Sequence, residues 1–200
     1  MEIKLKVCLM GDQGVGKTSI LFRYLHDVFY GDYQITLGMD FAVKEFALCS
    51  LRPCEEVDLP AEQVDRYNDS TVRLYIWDLG GQQQFAPLRS HYLAGAHATI
   101  IVYDVSETTT LKNLGRWIEQ HERCLGDKPY IVVGNKTDLL NNDVVDDVLR
   151  KQGEMVSKGH SPAAVYFTSA KTGHHVKNLF EHVMSEILLP VPLVQHLFNS

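Results

Sequence analysis

The chain is 200 residues long with a formal net charge of −6, a length that suits one domain with a substantial core. The acidic balance, with no basic stripe, speaks against a nucleic-acid surface, and no apolar run approaches the roughly 18 residues of a membrane helix. Glu2, Lys4 and Lys6 interrupt the start where an export signal would be apolar, and Cys8, Cys49, Cys54 and Cys124 form no CxxC pair, so reduced thiols in a cytosolic protein are expected.

In chain order, Ile3, Leu5, Val7 and Leu9 alternate on a strand ending near Met10. Gly11-Asp12-Gln13-Gly14-Val15-Gly16-Lys17-Thr18 follows and matches G-x-x-x-x-G-K-S/T. The glycines let the backbone bring its N–H groups close to an anion, and the N-terminus of the next helix adds partial positive charge. Lys17 supplies a full charge for terminal phosphates and Thr18 a hydroxyl for Mg2+. Ile20, Leu21, Tyr24, Leu25 and Val28 recur at helical spacing, predicting a helix that ends near Asp27. Residues 29 to 39 read as a loop, and a second strand runs from about Asp40 to Leu48.

Leu51 to Asp69 is acidic and carries Pro53 and Pro60. It reads as a mobile hairpin extension of about residues 51–69 between two paired strands, away from any nucleotide, either a solvated loop or a partner-specific contact. A strand from Thr71 to Trp77 runs into Asp78-Leu79-Gly80-Gly81-Gln82. A helix is predicted over about Ala86 to Ala94, then a buried strand from Ala98 to Tyr103 with Asp104 at its end. Leu111, Leu114, Trp117 and Ile118 mark the next helix. The strand Tyr130–Val133 leads into Asn135-Lys136-Thr137-Asp138. A weaker helix spans roughly Asp143 to Ser157, and a strand from Ala164 to Phe167 leads into Thr168-Ser169-Ala170-Lys171. Val176, Leu179, Phe180, Val183, Met184 and Ile187 form the cleanest helical stripe, stopped by Pro190 and Pro192. Alternating strands and helices predict an α/β fold with a six-stranded, mostly parallel sheet covered by helices on both faces. Ligands of such sheets bind outside the strand carboxyl ends, where the glycine loop, Asp78, Asp138 and Ala170 all fall.

The base follows from Asn135-Lys136-Thr137-Asp138. The Asp138 carboxylate can accept from guanine N1–H and its exocyclic amine, donors that adenine lacks there. An unpaired carboxylate in a dry site costs on the order of 1–3 kcal/mol or more, so adenine is rejected. Lys136 can lay its stem along the base plane, Asn135 can tie this loop to the phosphate loop, and the Ala170 N–H can donate to guanine O6. An ATP-dependent kinase fails on Asp138.

GDQGVGKTS, ITLGMDF, WDLGGQ, NKTD and SAK together resemble a small GTPase of the Ras superfamily over Lys4 to Ile187. LGMDF, the tryptophan before Asp78 and SAKTG resemble the Rab branch most, and Gly80-Gly81 resembles outlying Rab-like members with a D-I/L-G-G-Q motif. The resemblance implies a small G domain over 1–188 with a short tail over 189–200. It also implies a GTP/GDP switch that uses Mg2+ and regulates vesicle or protein trafficking. Mg2+ would be held by Thr18 and Thr36, with Asp78 acting through water. Gly81 would meet the γ-phosphate, Phe29 would pack on the guanine, Tyr33 would cover the phosphates, and Gln82 would orient the attacking water, with Lys17 and Thr36 completing catalysis. Gln13, Gly14, Val15, Gly16, Ser19, Leu139, Ser169 and Lys171 complete the nucleotide-binding positions.

No arginine lies between Arg23 and Arg52, so slow turnover is expected unless an activating protein supplies the charge. Effectors, an exchange factor and an activating protein are the implied partners of a monomer. Gln13 stands where the family has a small residue, which leaves open a hydrolysis-impaired GTP-binding module, including one in ciliary or flagellar transport. No cysteine follows Cys124 and Glu2 follows Met1, so no lipid anchor is expected. A cytoplasmic location is implied, with recruitment through partners to endomembranes or the base of a cilium. A metal site on Cys49 and Cys54 is disfavoured for lack of partners nearby, and one on His174 and His175 because adjacent histidines at a helix start are usually just solvated.

Overall fold

A computed structural model describes residues 1–29, 36, 38–141 and 145–199. The strands are β1 (Glu2–Gly11), β2 (Met39–Ala47), β3 (Thr71–Leu79), β4 (Ala98–Asp104), β5 (Tyr130–Asn135) and β6 (Ala164–Phe167). They form one sheet in the order β2-β3-β1-β4-β5-β6. Only the β2–β3 pair is antiparallel.

The helices are α1 (Lys17–His26), α2 (Leu48–Leu51), α3 (Ala61–Asn68), α4 (Ala86–Leu93), α5 (Thr108–Lys112), α6 (Leu114–Leu125), α7 (Val145–Gly159), α8 (Val176–His182) and α9 (Val191–Asn199). A wider turn over Val183–Leu188 continues α8. Burial on both faces makes the central strands near-continuous apolar runs. In β1, Leu5, Val7 and Leu9 face one core with Ile20, Leu21, Val176, Leu179 and Phe180. Cys8 and Met10 face the other with Leu93, Leu114, Trp117, Ile118 and Val156.

Several boundaries differ from the sequence reading. Helix α1 does end next to Asp27, as expected, because Asp27 turns into the left-handed region at φ 54, but Val28, counted in its stripe, falls outside it and is exposed. Strands β4 and β5 run on to Asp104 and Asn135, so each ends on a polar side chain at the ligand edge. The expected helix start at Asp143 lies outside the described residues.

The largest correction concerns residues 48–70. This stretch is helical rather than a mobile extension. It holds α2, a 3-10 turn over Cys54–Glu56 and α3. Leu48, Val57 and Tyr67 are buried in the same core as α8 and α9. The short apolar tail, read from the sequence as packing on the body or on a partner, packs on the body as helix α9, with Val194 and Phe198 buried. Tyr67 packs on Phe198 with ring centroids 5.1 Å apart. Arg52 donates to the carbonyls of Ser185 and Leu189 and pairs with Glu186 at 2.9 Å. The register places Ala47 opposite Thr71 at one end of the β2–β3 hairpin and Met39 opposite Leu79 at the other. The insertion therefore occupies the end of the sheet away from the glycine loop.

Candidate functional site

The glycine loop takes its shape from three left-handed residues, Gly11 at φ 140, Gly14 at φ 81 and Gly16 at φ 93. A side chain at Gly11 would fall on the Val102 carbonyl, and one at Gly16 on the Asn135 amide. The loop is thus pressed against β4 and β5 with no room for a Cβ. Lys17 is buried, and its ammonium donates to the carbonyls of Gly11 at 3.0 Å and Asp12 at 2.8 Å. Burial pulls its pKa down to about 8, against the opposing pull of Asp78 and Asp12. A buried cation whose hydrogen bonds, among the described residues, go to backbone carbonyls gains most from an arriving anion.

Beside it, Thr18 and Thr36 meet at Asp78. Their hydroxyl oxygens are 2.7 Å apart, Thr18 donates to Asp78 Oδ2, and Thr36 reaches the same oxygen at 3.3 Å. Asp78 is buried, which raises its pKa against the lowering effects of Lys17 and the two hydroxyls. Its Oδ1 is buried without a hydrogen-bond partner among the described residues. Two hydroxyls and a carboxylate with an unsatisfied oxygen are the hard donors that a small divalent cation takes. No cluster of His, Cys, Asp and Glu able to hold a metal by itself occurs among the described residues.

Four strands bring the base-reading residues together. Asn135 Nδ2 donates to the Val15 carbonyl at 2.9 Å, tying β5 to the glycine loop. Its Oδ1 accepts from Thr168 and from the Ala170 N–H, both at 3.1 Å. The sequence reading gives that N–H to guanine O6; here the buried donor is satisfied by Asn135 instead. Asp138 accepts from Ser169 Oγ at 2.5 Å, and its other oxygen lies 3.9 Å from Lys171. Lys136 sits at φ 70 and its ammonium pairs with Asp104 at 2.6 Å, which leaves its stem as the part able to lie along a ring. Arg23, on α1, donates to the carbonyls of Ala170 and Lys171 and fixes that loop from below. Phe29 and Leu139 are exposed. Ser19 is half-buried on the first turn of α1. Tyr33 lies outside the described residues.

The segment after β3 closes the site. Gly80 N–H donates to the Gly38 carbonyl at 2.8 Å, and a Cβ on Gly80 would stand 2.9 Å from that oxygen. A Cβ on Gly81 would fall on the backbone of Asp12 and Gln13. Glycine at both positions lets this segment touch both the strand entry and the phosphate loop. Gln82 Oε1 is buried with no partner among the described residues, so it makes no bond to Gln13, whose own side chain is exposed.

Sequence reasoning missed two groups. Asp12 accepts from Trp117 Nε1 and Asn113 Nδ2, both at 2.7 Å, and from Arg116. Burial alone would raise its pKa, but these donors hold it below the usual carboxylate value. Phe41, Trp77 and Tyr92 form an aromatic strip with centroid spacings of 5.9 and 6.0 Å, and Phe41 is 57% exposed. The signal was available: on strands whose register pairs Phe41 with Trp77, apolar residues recur on the face turned away from the α1 core.

A sheet with a glycine loop at one strand end, and with Lys17, Thr18, Asp78, Asn135 and Asp138 gathered at that same edge, defines a phosphate-loop nucleotide-binding domain. The model of the Ras family matches residues 6–189. The chain belongs to that family and is a small GTPase of the Ras superfamily, a GTP-binding switch protein.

Proposed function

We propose that this member hydrolyses GTP slowly and acts as a Rab-like regulator of vesicle or protein trafficking, working from the cytoplasm through partners that recognise its GTP form. The observation that carries the proposal is the meeting of Thr18, Thr36 and Asp78. One carboxylate links the phosphate loop, the segment before β2 and the end of β3. A ligand that occupies this corner biases all of them, which is how the presence of a terminal phosphate becomes two ordered loops.

Mg2+ bound by Thr18, Thr36 and, through water, Asp78 would neutralise charge on the β- and γ-phosphates. Lys17 adds a fixed positive charge, and the Gly81 N–H, at the phosphate loop, is the donor for the γ-phosphate. Gln82, with its unsatisfied buried oxygen, orients water for in-line attack. Asp138 selects guanine. The aromatic strip of Phe41, Trp77 and Tyr92 spans β2, β3 and α4, the elements next in sequence to Thr36 and Gly81, so a partner seated on it senses both. Arg89, the one buried arginine after Gln82 among the described residues, donates to backbone carbonyls, so an activating partner supplies the cation that speeds turnover. Single-turnover hydrolysis of bound GTP tests this. Slow turnover with Mg2+, slower still in Gln82→Ala, is expected. Fast unaided turnover, or none at all with Mg2+ and an arginine-supplying activator, contradicts it.

A further inference from the structure

Arg89 is only 6% exposed, an uncommon place for a guanidinium. It lies over the Trp117 ring at 4.6 Å, and the same indole donates to Asp12 in the phosphate loop at 2.7 Å. Arg89 Nη1 donates to the carbonyls of Gly80 and Gln82, each at 3.3 Å, while its Nε has no partner among the described residues. The guanidinium therefore grips the backbone on both sides of Gly81, from a platform rooted in the phosphate loop.

The choice of carbonyls matters. In a planar trans peptide the C=O and N–H point in opposite directions. The Gly80 carbonyl shares its peptide with the Gly81 N–H, so holding the oxygen on the Arg89 side turns the N–H away from Arg89, at a residue whose Cα lies against the backbone of Asp12 and Gln13. The Gln82 carbonyl fixes the peptide that follows Gln82 and so limits how that side chain can swing. Gly81 has no Cβ contacts to hold its peptide in place, so the orientation must come from elsewhere.

We infer that Arg89 is a positioning residue for hydrolysis. Braced on Trp117 and Asp12, it sets the peptides flanking Gly81 and thereby aims the Gly81 N–H and the Gln82 side chain at the γ-phosphate. This rests on the role proposed for Gln82.

The test is a double-mutant cycle on the full chain, read by single-turnover GTP hydrolysis and by GDP affinity. Arg89→Ala slows hydrolysis roughly 10- to 100-fold, the scale of a misplaced catalytic group, and leaves GDP affinity within about 2-fold. Arg89→Lys recovers part of the rate, since an ammonium keeps a donor but not the planar stack on Trp117; if Arg89→Ala does not fold, it carries the cycle instead. In a Gln82→Ala background the Arg89 substitution adds little, because both act on one group. An equal loss in both backgrounds overturns the inference, as does an unchanged rate in Arg89→Ala while Gln82→Ala is slow. If Gln82→Ala alone leaves hydrolysis unchanged, the role of Gln82 falls and the inference falls with it.

Discussion

The two ends of the β2–β3 hairpin are built on opposite plans. At the Met39–Leu79 end the backbone does the work. Glycines remove side chains, Lys17 rests on carbonyls, and Asp78 and Gln82 keep buried oxygens without partners among the described residues. At the Ala47–Thr71 end the side chains do it. Tyr67 donates to the Arg52 carbonyl at 2.6 Å, Arg52 reaches the end of the α8 extension, and Phe198 seals the core. The first end is completed by a ligand and the second by its own chain. Stability should therefore respond to changes at the insertion, and nucleotide affinity to changes at the loop.

The largest expected effect is at the loop. Lys17→Ala should weaken guanine-nucleotide binding by roughly 10²- to 10³-fold, the cost of removing one member of a buried charge pair, as read by fluorescent-nucleotide titration. Next is Phe198→Ala, which deletes a buried ring. A loss of about 3–5 kcal/mol in chemical denaturation is expected, with GDP affinity of the folded fraction unchanged. A large affinity loss there would break the division between the ends. Arg52→Ala should cost about 1–3 kcal/mol, because the Tyr67 and tail contacts survive while buried carbonyls lose their donor. Limited proteolysis should then cut first in the insertion.

The smallest effect belongs to neither end. His121 is buried, its Nδ1 2.7 Å from Thr99 Oγ1 and its Nε2 2.8 Å from the Lys128 carbonyl. Burial holds its pKa below the usual 6.5, against the raising effects of Lys128 and Glu122. The unfolded chain takes up a proton near 6.5 while the native chain resists it. The stabilising contribution is thus complete above pH 6.5 and is lost as pH falls toward the native pKa. His121→Gln should flatten that decline in thermal melts, whether or not nucleotide is bound.

Much of the first end was legible because its chemistry fixes spacing. A strand, a glycine loop and a helix leave few alternatives, and Asn135 through Asp138 could be read from hydrogen-bonding capacity alone. The Ala170 N–H could not, because its bond to Asn135 Oδ1 depends on two strand ends meeting in space. The second end was hidden by length. The helices Leu48–Leu51 and Ala61–Asn68 are 4 and 8 residues long, too short for periodicity to declare itself. Pro53 and Pro60 stand at helix starts, where a missing N–H costs nothing. Arg89 was invisible for a related reason. Nothing in a run of polar residues says which one turns inward onto a tryptophan from another helix.

The division between the two ends is tested most directly by hydrogen exchange on the full chain loaded with GDP or with a non-hydrolysable GTP analogue, both with Mg2+. Higher protection with the analogue at Thr36, 38–41 and 80–89, together with unchanged exchange across 48–70 and 191–199, is the predicted result. Identical protection with both nucleotides, or a change confined to the insertion and α9, would contradict it.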